Sequence, residues 1–251
     1  MNIKSIVFSL AVLMSIPVSG QNSVNGQVKK MHIDVYRNAV KAQDFPTAIT
    51  ALNYLLAIEP NKGHYKDSLA YAYYWSSNYA QAIYWSDEVL KSQPDNTAML
   101  EIKAFCLKKT NNMIKAIAIY EDLLKKEFNF SYAFNLCELQ YSVKRLYECM
   151  ATIETIHAHA IPDSLTFNYL GASQQIAQTP VKAAVYNYEG LALYELGDKQ
   201  AASAAFGKSL EVDSTFTHAK ANFLAVSNEL QNEVTGVTNQ NASKSEIKRE
   251  D

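Results

Sequence analysis

The run from Asn78 to Pro94, NYAQAIYWSDEVLKSQP, decides the architecture. Ala82 lies in it at the point where two antiparallel helices meet, and the same arrangement returns at a fixed interval. Alanines stand at Ala48, Ala82 and Ala116, each 34 residues from the last, and the next step lands on Met150. Prolines keep the same beat at Pro60, Pro94 and, two periods on, Pro162. A small residue is needed wherever one helix backbone comes close to another, because a larger side chain would force the pair apart at a cost of about 1–3 kcal/mol.

Working outward gives the units 29–62, 63–96, 97–130 and 131–164, and after a break a fifth at 183–216. The fifth carries YNYEGLALYELGDKQAASAAFGKSLEVD. It puts Gly190 and Ala202 in the two small slots, Tyr194 and Leu196 before the Gly197 turn, and Phe206 in an aromatic slot. A 34-residue period with small residues at the crossing and proline after the second helix resembles the tetratricopeptide repeat (TPR). The likeness covers about three quarters of the chain once a leader is removed. It implies an all-α solenoid of helical hairpins, wound as a right-handed superhelix. Three departures stand out: Tyr36 replaces the small residue of the first unit, Glu138 and Met150 replace both in the fourth, and Phe128 stands where the third proline belongs.

Only 8 glycines and 6 prolines in 251 residues suggest long helices and short connections. Asp44 with Pro46, Asn61, Asn96, Asp163, Thr179 with Pro180, and Asp198 mark helix starts, as residues that cap exposed N–H groups or preset the first turn. Stripes such as Ile49, Leu52, Leu55 and Leu56, or Ile117, Tyr120, Leu123 and Leu124, mark buried faces. From 165 to 182 the period slips by 18 residues, the length of a helix and its turn, so one extra helix is expected there as a junction. Phe216, Ala219, Phe223, Val226 and Leu230 form a stripe for a capping helix over 217–231. Segments 21–28 and 232–251 are polar and read as disordered.

Residues 1–20 read as a secretory signal peptide. Lys4 precedes the apolar run 6–16, Pro17 breaks it, and Val18 and Gly20 suit a signal peptidase. The run is shorter than the roughly 20 residues that span a bilayer. No cysteine follows the cleavage point, so no lipid anchor is expected. The expected product is soluble and periplasmic or extracellular, without stable membrane insertion. Cleavage leaves 22 basic against 25 acidic residues, a net charge of −3, which lacks the basic footprint of a nucleic-acid binder.

No catalytic chemistry is legible. His157 and His159, two apart on a helix, point to different faces, whereas a chelating pair needs a spacing of three or four. Cys106, Cys137 and Cys149 are odd in number and have no motif partner. They read as small buried hydrophobes, although neighbouring helices can bring Cys137 close to either of the others. No phosphate loop, nucleophile elbow or His-Glu-x-x-His helix is present, and no cofactor or metal is expected.

In TPR proteins the first helix of each unit lines the concave surface. By resemblance the inward slots hold Lys30, Ile33, Arg37 and Lys41, then Asp67, Tyr71, Tyr74 and Trp75, then Glu101, Phe105, Lys108 and Lys109, then Tyr132, Asn135 and Leu139. Tyr71, Tyr74, Trp75 and Phe105 are the expected contact residues, with Arg37 and Lys41 as a charged rim, because aromatics give large contact area at low entropy cost. Ile33, Arg37, Asp67 and Tyr71 do not reproduce the Lys, Asn and Arg set that grips acidic C-termini. The expected function is a non-catalytic adaptor for a protein or an extended peptide. The alternative is a carbohydrate-binding or nutrient-uptake accessory that stacks sugars on the same Tyr and Trp residues.

Overall fold

The computed structural model describes residues 18–171 and 174–247. Most of the expected signal peptide therefore lies outside the described residues. The chain folds as helical hairpins, in two compact units divided in the sequence between Asn112 and Met113. The first unit holds α1 (Val18–Lys41), α2 (Phe45–Ile58), α3 (Gly63–Trp75), α4 (Tyr79–Leu90) and α5 (Thr97–Lys109). The second holds α6 (Met113–Lys126), α7 (Phe130–Ser142), α8 (Leu146–His157), the strands β1 (Thr166–Leu170) and β2 (Ile176–Pro180), α9 (Val181–Glu195), α10 (Lys199–Val212) and α11 (Thr217–Ile247).

The helix starts follow from capping. Asp44, Asn78, Asn96, Asn129 and Asp198 each accept a hydrogen bond from a backbone N–H of the first turn. Asn61 and Asp163 do not serve as caps: Lys62 precedes α3, and no helix follows Asp163. Each tight turn inside a repeat uses one left-handed residue, at Gln43, Ser77, Asn111, Lys144 and Gly197. Only the last is the glycine that this conformation favours.

Ala48, Ala70, Ala82, Ala104 and Ala116 are fully buried, as the small-slot reading requires. The fourth repeat corrects the register. Its turn residue, Lys144, comes 33 rather than 34 residues after Asn111. The small buried pair is Cys137 and Cys149, with Sγ atoms 3.5 Å apart, one residue ahead of Glu138 and Met150. A spacing of 12 residues between the small slots of a hairpin survives in Ala70 and Ala82, Cys137 and Cys149, and Gly190 and Ala202. The 34-residue period holds from Gln43 through Ser77 to Asn111 and ends there. In the fifth repeat a Cβ on Gly190 would stand 2.5 Å from the Phe206 ring, so only glycine fits.

The extra helix expected over 165–182 is instead an antiparallel hairpin, paired from Thr166 with Pro180 to Leu170 with Ile176. Its residues alternate: Phe167, Tyr169 and Thr179 turn inward, while Thr166, Asn168 and Leu170 face out. This two-residue period, with Gly171 before the turn and Pro180 at the end, is a strand signal that chain-length arithmetic hid. Phe167 packs edge-on to Phe134 at 5.0 Å and Tyr169 to Phe216 at 4.8 Å, so the hairpin plugs the core of the second unit.

The polar ends also differ from expectation. Helix α1 already covers 21–28, and α11 runs to Ile247 rather than stopping near 231. Extending an existing helix needs no new nucleus, so a polar segment without proline can continue one. Ala219 and Val226 of α11 are buried, Val226 against Ala202 and Phe206 of α10, as is Phe216 just before the helix. Val35 of α1 and Ala42 just after it are exposed, as no element precedes α1 among the described residues to cover that side.

Candidate functional site

The first unit carries an open cleft of about 510 Å³ between α1 and α3. From α1 it takes Tyr36 and Val40, from the turn Gln43, from the start of α2 Phe45, and from α3 Ser68, Tyr71, Ala72 and Trp75. Tyr71 and Trp75 lie one helical turn apart and remain 41% and 61% exposed. No charged side chain lines the cleft. Its polar groups are the hydroxyls of Tyr36, Ser68 and Tyr71, the Gln43 amide and the Trp75 indole N–H.

The walls are held from both sides. Leu52, Leu55, Leu69 and Ala72 form the core behind α3, with Ile33 and Tyr36 of α1 packed against it. The Lys29 ammonium reaches Glu59 at 2.8 Å, and the Tyr65 hydroxyl donates to the same carboxylate at 3.0 Å. These two bonds, with Lys29 the stronger, hold the Glu59 carboxyl below the ordinary carboxylate range. They tie α1 and α3 to the end of α2.

The expected site residues divide into three groups. Tyr71 and Trp75 come together in the cleft. Tyr74 and Phe105 stack instead in a half-buried row: Tyr74 lies edge-on to Trp75 at 5.1 Å and to Phe105 at 5.2 Å, and Phe105 continues to Tyr79 at 6.1 Å. Burial raises the Tyr74 hydroxyl above the ordinary tyrosine value, which marks it as a support for Trp75 rather than a rim group. Lys109 places its ammonium 5.3 Å from the centre of the Phe105 ring. Arg37 and Lys41 are exposed neighbours of the lining residues Tyr36 and Val40, and neither lines the cleft; Arg37 pairs with Asp34 at 3.8 Å on its own helix.

Other inward slots move. Asp67 turns toward the end of α4, where its Oδ1 is buried without a hydrogen-bond partner. Desolvation raises its carboxyl. Tyr132 and Leu139 are buried in the core of the second unit, as the one-residue slip of the fourth repeat requires. Sequence reasoning missed Tyr36, Val40 and Phe45 as lining residues. Tyr36 was detectable as an aromatic occupying a small slot; the other two carry no signal of their own.

Cys106, Cys137 and Cys149 are all buried thiols, and burial pushes Cys106 up to about 12. His157 pairs with Glu189 at 3.0 Å, and His159 stacks on Phe128. Among the described residues no group of three or more His, Cys, Asp and Glu side chains is placed to hold a metal ion. None of the described helices is long and apolar enough to cross a membrane.

No family model matches the sequence, and no curated protein matches it. Solved structures do match in fold. MamA from Desulfovibrio magneticus RS-1 is 14% identical, with a TM-score of 0.59 over 75% of this chain and 97% of that one. YrrB, described as a TPR protein with an unusual peptide-binding site, is 11% identical, with a TM-score of 0.60 over 76% of this chain and 89% of that one. A further MamA structure gives a TM-score of 0.58 at 16% identity, covering 75% of this chain and 93% of that one.

Proposed function

We propose that this chain, whose fold is that of the tetratricopeptide repeat proteins, is an exported, non-catalytic scaffold that holds an extended segment of another protein in the cleft between α1 and α3. The observation that carries the reading is Tyr71 and Trp75. Two large aromatics, one turn apart and exposed, wall an apolar cleft of about 510 Å³. Exposed aromatics backed by a packed row are the usual anchors of protein recognition. Neutral lining groups favour an apolar or uncharged segment over an acidic chain end. The peptide-binding description of YrrB points the same way. Export rests on the leader-like pattern of residues 1–20, and the slightly acidic net charge argues against nucleic acid. The absence of catalysis is supported by three buried thiols, with Cys106 pushed up to about 12, since only a thiolate attacks.

The test is capture of partners from the cell envelope by the tagged mature chain, beside a Tyr71→Ser, Trp75→Ser variant first shown to melt like the wild type. A partner retained by the wild type and lost from the variant supports the reading, and equal capture overturns it. Free oligosaccharide is the competing occupant. Quenching of Trp75 emission on its addition, absent from a Trp75→Phe variant, would replace the peptide with a sugar.

A further inference from the structure

The second unit contains a separate cleft of about 510 Å³, and its geometry differs from the first. One wall is strand β1, through Tyr169 and Leu170. The opposite side is formed by Asn187 and Tyr188 of α9 and His218 and Asn222 of α11. Phe167 lines it too and no residue of β2 does; the outward edge of β1 meets it at Leu170, whose carbonyl oxygen lies 3.0 Å from the lining residue His218.

The register shows what that edge offers. Val181 N–H donates to Leu165 O at 2.8 Å, and Gly171 N–H donates to Gln175 O at 2.9 Å. Residues 165, 167, 169 and 171 therefore aim their peptide groups at β2. Thr166, Asn168 and Leu170 aim theirs outward. The His218 ring confirms this direction, because its Nε2 meets the outward Leu170 O at 3.0 Å. The two edges of the hairpin are not alike. On β2 an outward position is Pro180, which has no N–H and blocks further pairing. On β1 the sequence TFNYL has neither proline nor charge. At the tip, Leu170 and Ile176 face each other across the strands, 53% and 79% exposed.

We infer that β1 is a docking edge, on which an extended, uncharged segment of a partner polypeptide adds as a third strand and seats its side chains in the neighbouring cleft. Main-chain pairing supplies affinity and the cleft supplies selection. Across the cleft the Asn222 NH2 donates to the Asn187 side-chain carbonyl at 2.9 Å. That bond uses one donor and one acceptor, and leaves an amide NH2 and a carbonyl of the pair for an incoming peptide. The inference shares with the proposed function only the premise that the chain binds proteins. It uses a different unit and different residues.

The experiment selects random 12-residue peptides displayed on phage against the full mature chain, then measures the synthetic peptides by fluorescence anisotropy. Asn168→Pro removes an outward N–H and leaves the β1–β2 bonds intact, and Gln178→Pro makes the same change on the far edge. At least one peptide should bind Asn168→Pro about tenfold or more weakly. It should bind Gln178→Pro and the Tyr71→Ser, Trp75→Ser variant as it binds the wild type. N-methylation of alternate peptide residues should abolish binding in one parity only, a result that needs no change to the protein. The inference is overturned if no peptide binds, if binding survives Asn168→Pro in a folded protein, or if both N-methyl parities act alike. It is also overturned if Asn168→Pro abolishes only self-association. Peptides lost solely with the Tyr71 and Trp75 change would overturn it while leaving the proposed function standing.

Discussion

The first unit is regular and the second is not, yet both obey one packing rule. In the first, Ala48, Ala70, Ala82 and Ala104 keep the 34-residue step and are fully buried, and only Tyr36 departs from it. In the second, the slots hold Ala116, then Cys137 and Cys149 after a step shortened by one residue, then Gly190 and Ala202 after one lengthened by a β-hairpin. What persists is the 12-residue spacing inside each helical hairpin. That spacing is set by two helices of fixed rise joined by a three-residue turn, so the contact between them conserves it. The period between hairpins depends on how the next helix docks, and the chain varies it freely.

This contrast can be broken most sharply at the crossings. Ala82→Trp in the first unit and Cys149→Trp in the second should each cost about 1–3 kcal/mol or more through overpacking. Met150→Trp, at a partly exposed neighbour, should cost well under half as much. Denaturant melts decide it, and an equal loss at Cys149 and Met150 would remove the register slip. A somewhat smaller effect is expected at the fifth repeat. Gly190→Ala drives a Cβ to within 2.5 Å of the buried Phe206 ring and should cost about 1–3 kcal/mol. Pairing it with Phe206→Leu should recover part of that loss, and a double-mutant cycle with no coupling would show that the two residues do not share the space.

The smallest effect concerns pH and sharpens the difference between the units. Burial first, and then the bond from its hydroxyl to Glu195, pushes Tyr141 of the second unit up to about 12 from the ordinary 10.0. Tyr188 beside it is raised further, again mainly by burial. A raised folded value means stability held in full below about pH 10 and lost as pH climbs toward 12, because the unfolded chain ionises first. Thermal melts at stepped pH should show that decline. Tyr141→Phe should flatten it, and identical slopes would show that this hydroxyl does not titrate with unfolding.

Much of the fold was legible because it is dictated locally. Ala82, the stripe of Leu52 and Leu55, and the caps at Asp44, Asn96 and Asp198 each act within one helix or between a helix and its nearest neighbour. Within the candidate site, Tyr71 and Trp75 were legible because their helical spacing puts them on one face. Arg37 and Lys41 were misplaced because the first repeat carries Tyr36 in a slot that smaller residues fill elsewhere. The lining passes through Tyr36 and Val40, leaving both charges on open surface.

The sequence by itself determined helical hairpins, their order and number, and the small residues at their crossings, since helix periodicity and capping are short-range effects. Tertiary structure decided the rest. It made 166–170 and 176–180 strands, which bring Phe167 against Phe134 and Tyr169 against Phe216 in the core of the second unit. It shifted the fourth repeat by one residue, and it chose which aromatics stack inside and which face the cleft. Those outcomes depend on side chains far apart in the chain competing for the same buried space, and no local pattern records who wins.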